Sequence, residues 1–460
     1  MPQQFRRFFM RMELRKKTDR TTRVLMTFFL AVIAVGTLLM ALPAASADGQ
    51  SCGFLTALFT ATSSVCVTGL SLVDTYTQWS PFGQVVLLLL IQTGGLGYMT
   101  LVSVMFFMLR KKIGLRERLI LQQAMALNEL DGVLRLFKLV LAGTFVIEGA
   151  GALILSVRFA LQMPLGQAVW MGVFHAISAY CNAGFDLMGA FRPGSSLTLY
   201  AGDIVVNLVM YLLIVLGGLG FFVWNDLLMH HLRWRRLSVY TRLVLVTTGV
   251  LLLGGFLVTL ALEWSNPGTL GTLGAGEKLL TAMFQSVTTR TAGFFTVDQG
   301  ALTDSGKLVS ILLMLVGGSS GSTAGGIKTV TVALLFLMAL QVARNRKEIV
   351  VFGRRIPQEQ VNIACAICFL VVGLALIGAV ILSASNGVRL IDALYETASA
   401  ICTVGLSTGI TAGLNLVSKL LLIVYMFFGR VGIMTISLAF MIKEPPDNAI
   451  GRPETRVLLG

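Results

Sequence analysis

The feature that most constrains the fold of this chain is a short glycine string that occurs four times at nearly equal intervals. The strings are CVTGL at 66–70, CNAGF at 181–185, RTAGF at 290–294 and CTVGL at 402–406, and their glycines lie 115, 109 and 112 residues apart. Glycine lets a backbone turn and present its carbonyl groups closely to something small. We call these strings the glycine loops, and their spacing predicts a fourfold repeat arranged as a ring around one axis.

The composition indicates that this ring lies in a membrane. Of the 460 residues, 55% are apolar and 13% are charged, and the mean hydropathy is +0.82, far from the values of a soluble domain. We therefore predict an all-α membrane protein with eight spans of about 20 residues each. The predicted spans are 24–42, 83–109, 134–160, 203–229, 240–262, 307–341, 360–384 and 416–441.

The net charge of +14 is explained by topology better than by nucleic-acid binding. Most of the Lys and Arg residues fall on one side of the eight-span arrangement, which also holds both termini, and the positive-inside rule makes that side the cytoplasm. The predicted organisation is a basic N-terminus, four repeats and a tail. Their bounds are 1–23 for the N-terminus, 24–110, 134–229, 240–341 and 360–442 for the repeats, and 443–460 for the tail.

A segment too short and too polar to cross the membrane lies between the two spans of each repeat. These segments are 53–64, 167–179, 278–288 and 391–400. Each is predicted to be a re-entrant helix that ends at a glycine loop, because irregular backbone at membrane depth is tolerated only inside protein or beside water. The carbonyl ends of the four helices would point at one axis and favour a cation. Since Asp and Glu are almost absent from the loops, selection by carbonyl oxygens is expected, as for potassium.

The third repeat contains a sequence that cannot continue a helix. Residues 317–328, GGSSGSTAGGIK, hold five glycines and four hydroxyl residues, and each glycine costs a helix interior about 1 kcal/mol. We call this segment the Gly/Ser stretch and predict a break there. A nucleotide-binding loop is excluded because Ile327 separates Gly326 from Lys328 and no strand precedes it. Static packing of small residues remains the alternative to a moving barrier.

Several motifs in the same order resemble the superfamily of potassium transporters that includes KtrB, TrkH and plant HKT proteins. They are the loops TSSVCVTGL, SAYCNAGF, SVTTRTAGF and TASAICTVGL, together with LIQTGGLGYMT, GGSSGSTAGGIKT and FGRVGIMT. With no further span ahead of the first repeat, KtrB is the expected closest type. The resemblance implies a single-chain pseudo-tetramer that moves potassium through a selectivity filter. The implied filter residues are Val67, Thr68, Gly69, Asn182, Ala183, Gly184, Thr291, Ala292, Gly293, Thr403, Val404 and Gly405.

The resemblance also implies ion preference and a gate. Serine in place of the first loop glycine goes with sodium preference in plant relatives, so Gly69 points to potassium. One glycine per loop, against two in TVGYG channels, predicts a looser filter. The Gly/Ser stretch is implied to block the pore and to move aside on activation. The implied gate residues are Gly317, Gly318, Ser319, Ser320, Gly321, Ser322, Thr323, Ala324, Gly325, Gly326, Lys328 and Arg430.

Three basic residues near the predicted pore call for an explanation. Arg430 replaces a glycine of the GGLG string in the fourth repeat, and the resemblance places it in the cavity beneath the filter; a buried ion pair is the alternative. Arg290 is expected to be structural, beside the outer mouth, where it would pair with Asp298 or Asp304. Lys328 is expected to contact either the gate or the cytoplasmic entrance.

No catalytic arrangement is present in the sequence, and we expect a transporter rather than an enzyme. Potassium is expected as the transported ion, bound at the filter only, with no cofactor in this chain and with activation by sodium as a possibility. The resemblance implies a homodimer in the plasma membrane on a ring of cytosolic, KtrA-like nucleotide-binding subunits. A channel-like uniporter is favoured over a sodium- or proton-coupled symporter, because acids are nearly absent along the axis.

Overall fold

The computed structural model describes residues 26–97, 133–346 and 348–432, and within them it is mostly helical. The first quarter contains α1 (Met26–Met40), α2 (Phe54–Val65), α3 (Thr75–Gln78) and α4 (Pro81–Leu96). The second contains α5 (Val133–Ala160), α6 (Leu165–Tyr180), α7 (Ile204–Leu219) and α8 (Phe221–Met229). The third contains α9 (Val239–Glu263), α10 (Ala275–Thr288), α11 (Asp304–Leu315) and α12 (Thr329–Ala343).

A small hairpin leads into the fourth quarter. Its strands β1 (Val350–Val351) and β2 (Arg354–Arg355) pair antiparallel, with Val350 opposite Arg355. The fourth quarter contains α13 (Gln358–Asn386), α14 (Leu390–Ile401) and α15 (Leu416–Val431). Short 3-10 turns lie at Pro43–Ala45, Met188–Ala190, Ser196–Tyr200, Trp234–Arg236 and Thr411–Gly413.

Three helices of the described ranges are by themselves long and apolar enough to cross a membrane. They are α5 over Val140–Ala160, α9 and α13, and they match three of the predicted spans. The apolar helices α1, α4 and α12 are shorter. The protein is therefore a multi-pass membrane protein of helical type. The predicted parts 98–109 and 433–441 of two spans lie outside the described residues, as do both termini.

The first long helix after each glycine loop begins at a capping side chain. An N–H group in the first turn of α4, α7, α11 and α15 donates to the side chain of Ser80, Asp203, Thr303 and Asn415, respectively. Such caps satisfy backbone donors that a helix start leaves unpaired, each worth about 1 kcal/mol. These polar residues therefore set where the first long helix after each glycine loop begins.

The prediction of one continuous span over 203–229 is wrong. The chain bends by 92° between α7 and α8 at Gly220, where φ is +85°. A Cβ at this position would lie 2.5 Å from Ser319 Oγ, and the Phe221 N–H donates to the Gly321 carbonyl at 2.9 Å. The bend exists because the Gly/Ser stretch packs into it, and only glycine gives both the space and the left-handed backbone.

The predicted break in the span 307–341 is confirmed. Helix α11 ends at Leu315 and α12 begins at Thr329, with irregular backbone between them. A single parallel bridge joins Val316 to Ile327 across the base of this segment. The Gly/Ser stretch is thus a loop pinched at its base, with its tip free to reach neighbouring helices.

Candidate functional site

The four helices α2, α6, α10 and α14, which we call the loop helices, each end in a left-handed residue that is not glycine. These residues are Val67, Asn182, Thr291 and Thr403, with φ of 54°, 59°, 63° and 51°. The N–H of the next residue donates back to a carbonyl of the loop helix in all four loops, as from Thr68 to the Ser63 carbonyl at 2.8 Å. A β-branched residue in this conformation costs about 1–3 kcal/mol and persists only where its surroundings impose it. The strain recurs at the same position in all four loops.

The four loop glycines touch one another in a closed cycle. A Cβ built on Gly69 would lie 2.6 Å from the Ala183 oxygen, and one on Gly405 would lie 2.1 Å from the Thr68 oxygen. A Cβ built on Gly184 would lie 2.9 Å from Gly293 Cα, and one on Gly293 would lie 2.7 Å from the Val404 oxygen. All four glycines have positive φ, between 70° and 97°. No other residue fits these positions without moving a neighbouring backbone.

Hydroxyl groups of the loop helices support these loops from behind. Ser63 and Ser399 accept from the N–H groups of Gly69 and Gly405 at 3.1 and 3.0 Å. Ser178 and Thr288 instead donate to the carbonyls of the phenylalanines that follow the other two glycines. Sequence reasoning missed these hydroxyls, although Ser63, Ser178 and Ser399 share one register, six residues before the glycine.

A cavity of about 520 Å³ opens on one side of the ring and is lined by all four loop glycines. Three carboxylates, Asp74, Asp186 and Asp298, and one cation, Arg192, also line it. Burial raises the pKa of the Asp186 carboxyl to about 6, and the nearby Asp74 acts in the same direction. The cavity is therefore a vestibule large enough for many water molecules, with an acidic surplus that the loop sequences alone did not indicate.

The Gly/Ser stretch lies against the opposite side of the ring. The Thr323 hydroxyl donates to the Tyr180 carbonyl at 3.1 Å and lies 3.2 Å from Asn182 Oδ1. A Cβ built on Gly325 would lie 2.0 Å from the Thr403 hydroxyl oxygen. The stretch thus contacts two different glycine loops from the side away from the vestibule.

Further contacts of the Gly/Ser stretch hold it to α7, α8 and α9. Its Ser319 N–H donates to the Gly218 carbonyl at 3.0 Å, and the Tyr240 hydroxyl donates to the Ser320 carbonyl at 2.9 Å. Lys328 folds back onto the stretch itself, with its Nζ 2.8 Å from the Ala324 carbonyl. Of the two positions expected for Lys328, the structure places it on the stretch.

Arg430 bonds to carbonyl groups from two separate elements. Its guanidinium donates to Thr323 of the Gly/Ser stretch and to Gly94 and Gly95 near the end of α4, the last at 3.1 Å. Among the described residues, no carboxylate forms an ion pair with it, so the ion-pair alternative is wrong there. Arg430 therefore connects α15, α4 and the stretch beneath the ring.

The expectation that Arg290 pairs with Asp298 or Asp304 beside the outer mouth is wrong, although its contact is a structural one. Its Nη2 donates to the Gly317 carbonyl at 2.8 Å, at the base of the Gly/Ser stretch. Asp298 instead accepts from the Gly300 N–H at 2.9 Å, and Asp304 lies 3.3 Å from Arg389. The Arg290 side chain runs away from the vestibule rather than along its rim, since its partner carbonyl lies on the opposite side of the ring.

Glycines of the GGLG-type strings pack directly on the ends of the loop helices. A Cβ on Gly94, Gly217 or Gly429 would lie 2.0–2.2 Å from the last carbonyl of α2, α6 or α14. In the third quarter Gly317 meets the Gly325 carbonyl of the stretch instead, at 1.9 Å. Close packing on the loop helices thus explains the strings of the first, second and fourth quarters. The string of the third quarter differs because the Gly/Ser stretch occupies the equivalent place.

Known proteins resemble this chain over nearly its whole length. The family model "TrkH: Cation transport protein" matches residues 7–452. The potassium/sodium uptake protein NtpJ of Enterococcus hirae is 37% identical over 98% of this chain and 99% of its own. The Ktr system potassium uptake protein B of Bacillus subtilis is 39% identical over 94% and 95%. The crystal structure of the potassium transporter TrkH from Vibrio parahaemolyticus, 18% identical, has a TM-score of 0.69 and covers 92% of this chain and 84% of its own.

Fold and site define a helical membrane transporter in which irregular backbone is packed at the centre of the molecule. The chain belongs to the TrkH family of cation transport proteins. It is therefore a transporter and not an enzyme.

Proposed function

We propose that this protein takes up potassium across the plasma membrane through a channel-like pore formed by its four repeats, a single-chain pseudo-tetramer. The observation that carries the proposal is the closed cycle of the four loop glycines, in which each loop abuts the next. Four loops with the same left-handed backbone, held at the ends of four helices, can direct carbonyl oxygens at one axis and replace the hydration shell of an ion. Potassium is proposed as the ion because the relatives are named as potassium uptake proteins.

In this proposal the twelve loop residues named from the sequence form the selectivity filter, and the vestibule is its extracellular mouth. The acidic surplus of the vestibule raises the local concentration of cations. Both termini, and the exposed basic hairpin at Arg354 and Arg355, then lie in the cytoplasm.

The Gly/Ser stretch is the gate of this pore, and Arg430 is its latch. Support comes from the contacts of the stretch with two glycine loops and from the guanidinium that ties it to α4 and α15. A guanidinium beneath the filter also opposes passing cations.

Control from outside the chain fits this arrangement. Three relatives are named as proteins of a Ktr system, which supports an assembly of several components. We propose a homodimer in the lipid membrane, bound to a ring of cytosolic KtrA-like nucleotide-binding subunits that shifts the gate by differential contacts in two states.

Sodium- or proton-coupled symport is the second candidate, and one observation favours it. Glu148 of α5 is buried, lies 3.2 Å from Gln92 Nε2 of α4, and is 3.8 Å from the Cys181 sulfur just before the second left-handed loop residue. A buried carboxylate beside a filter loop is the kind of group that coupling requires.

Flux measured in proteoliposomes tests both candidates. The uniporter predicts potassium uptake that follows the potassium gradient and the membrane potential, with the same rate with or without a sodium or proton gradient. Uptake that stops without one of these gradients establishes symport, and absence of potassium flux with intact protein contradicts both.

A further inference from the structure

The fourth loop helix carries a buried carboxyl group that holds the irregular segment after its loop glycine. We call the segment that follows each loop glycine the exit segment. Glu396 of α14 is fully buried and accepts from the Thr408 N–H at 2.9 Å. It also accepts from the hydroxyls of Ser407 at 2.6 Å and Thr411 at 2.7 Å. No cation is paired with it among the described residues, so backbone and hydroxyl donors of the segment after the loop glycine are its partners there.

The second loop helix carries an equivalent contact made by a different residue. His175 of α6 is fully buried, and its Nε2 accepts from the Leu187 N–H at 3.3 Å. Its Nδ1 lies 2.7 Å from the Met171 carbonyl, so the ring donates there and is neutral. Glu396 and His175 each lie nine residues before their loop glycine, and the N–H groups that they accept belong to the residues three after it.

The first and third loop helices have no such acceptor at this position. Thr60 occupies it in α2, and its hydroxyl is buried without a hydrogen-bond partner among the described residues. Phe284 occupies it in α10 and has no polar side-chain atom. The neighbouring Gln285 instead bonds to Gln299, six residues after the loop glycine, at 2.7 Å.

These contacts alternate around the ring. Gly293 touches both Gly184 and Gly405, and Gly69 touches both of them as well, so the second and fourth loops lie diagonally opposite each other. The side-chain acceptor that reaches the N–H three residues past the glycine is therefore present on one diagonal and missing on the other.

We propose that Glu396 and His175 are positioning residues for ion selection. They hold the exit segments of two diagonally opposite glycine loops and thereby fix the spacing of the outermost carbonyl groups of the filter. This inference rests on the proposed function. Thr408 lies only three residues after Gly405. If its exit segment is released there, the Gly405 backbone gains freedom to move. Since discrimination between potassium and sodium depends on the size, number and rigidity of the carbonyl ligands, the ion ratio should change more than the rate of uptake.

The test compares potassium and sodium uptake by the full chain in proteoliposomes. Glu396→Met and His175→Phe remove the acceptors with similar side-chain volumes, and each should lower the preference for potassium over sodium by at least about fivefold, which corresponds to about 1 kcal/mol. Thr60→Val, at the same position of the first loop helix, should leave the ratio unchanged, because it removes a hydroxyl without a partner.

A second control separates selectivity from general destabilisation. Glu263 is also fully buried and accepts from Thr303 N–H at 3.0 Å and from Thr269 Oγ1 at 2.7 Å, at the end of α9. Glu263→Met should lower the yield of folded protein but keep the wild-type ion ratio.

The outcomes are distinguishable. A selective wild type with unchanged ratios in Glu396→Met and His175→Phe overturns this inference and leaves the proposed function standing. If Glu396→Met does not fold, the His175→Phe ratio decides. A wild type with no preference for potassium overturns the inference and the proposed potassium selectivity together.

Discussion

Replacing Arg430 by methionine should open the pore. Of the three carbonyls bound by its guanidinium, only that of Thr323 belongs to the Gly/Ser stretch, while Gly94 and Gly95 belong to α4. Movement of the stretch therefore breaks one charge-assisted bond in the wild type and none in Arg430→Met. Such a bond contributes about 1.5–3 kcal/mol, so its loss should shift the balance from closed to open by about 10–150-fold.

The assay is potassium flux into proteoliposomes that contain the purified chain without partner subunits. While the open fraction remains small, initial flux should rise by the same factor, and the removal of a positive charge beneath the filter acts in the same direction. Arg355→Met is the matched control, since it removes the same charge from an exposed hairpin whose pair with Glu348 contributes little. Equal flux in Arg430→Met and Arg355→Met, with both proteins folded, would refute the latch.

Three further predictions concern the ring and its vestibule. Gly405→Ala should abolish uptake, whereas Gly409→Ala should not: both glycines have φ above +90°, but only at Gly405 would the new Cβ meet a carbonyl, that of Thr68. Equal uptake in the two variants would show that backbone strain, not the closed ring, governs the site. Gly69→Ser should weaken discrimination of potassium from sodium, and an unchanged uptake ratio would remove Gly69 from the filter. Because the Asp186 carboxyl, with its pKa near 6, gains charge as pH rises, potassium affinity should increase by up to about fivefold between pH 5 and 7. Asp186→Asn should abolish this dependence; a wild-type profile in the variant would contradict the assignment.

The glycine loops were predictable because their chemistry is local. A left-handed backbone in contact with a neighbouring carbonyl demands glycine wherever it occurs, so Gly69, Gly184, Gly293 and Gly405 mark the same geometry in four places. The break after Leu315 was predictable for a similar reason, since the glycines of the stretch destabilise a helix.

The features that sequence did not predict depend on contacts between distant segments. The bend at Gly220 exists because Ser319, about a hundred residues later, packs into it. The sequence favours nearby acids as partners of Arg290, yet its guanidinium donates to the Gly317 carbonyl. Sequence distinguishes a charged residue from an apolar one but does not show which backbone carbonyls remain free to accept from it.

The side chains that support the exit segments could not be predicted from the sequence for a different reason. Glu396 and His175 occupy one register of the repeat, but they share neither charge nor residue type. Their equivalence is visible only from the N–H groups that they accept, those of Thr408 and Leu187.

The measurement that tests the central claim most directly is the position of a bound ion. Rubidium can replace potassium in crystals or frozen samples of the purified protein and can be located by its scattering. The proposal predicts rubidium on the axis of the ring, within coordination distance of the loop carbonyls at Thr68, Ala183, Ala292 and Val404. Rubidium found elsewhere along the transport path, with no site inside the ring of a protein that transports potassium, would contradict it.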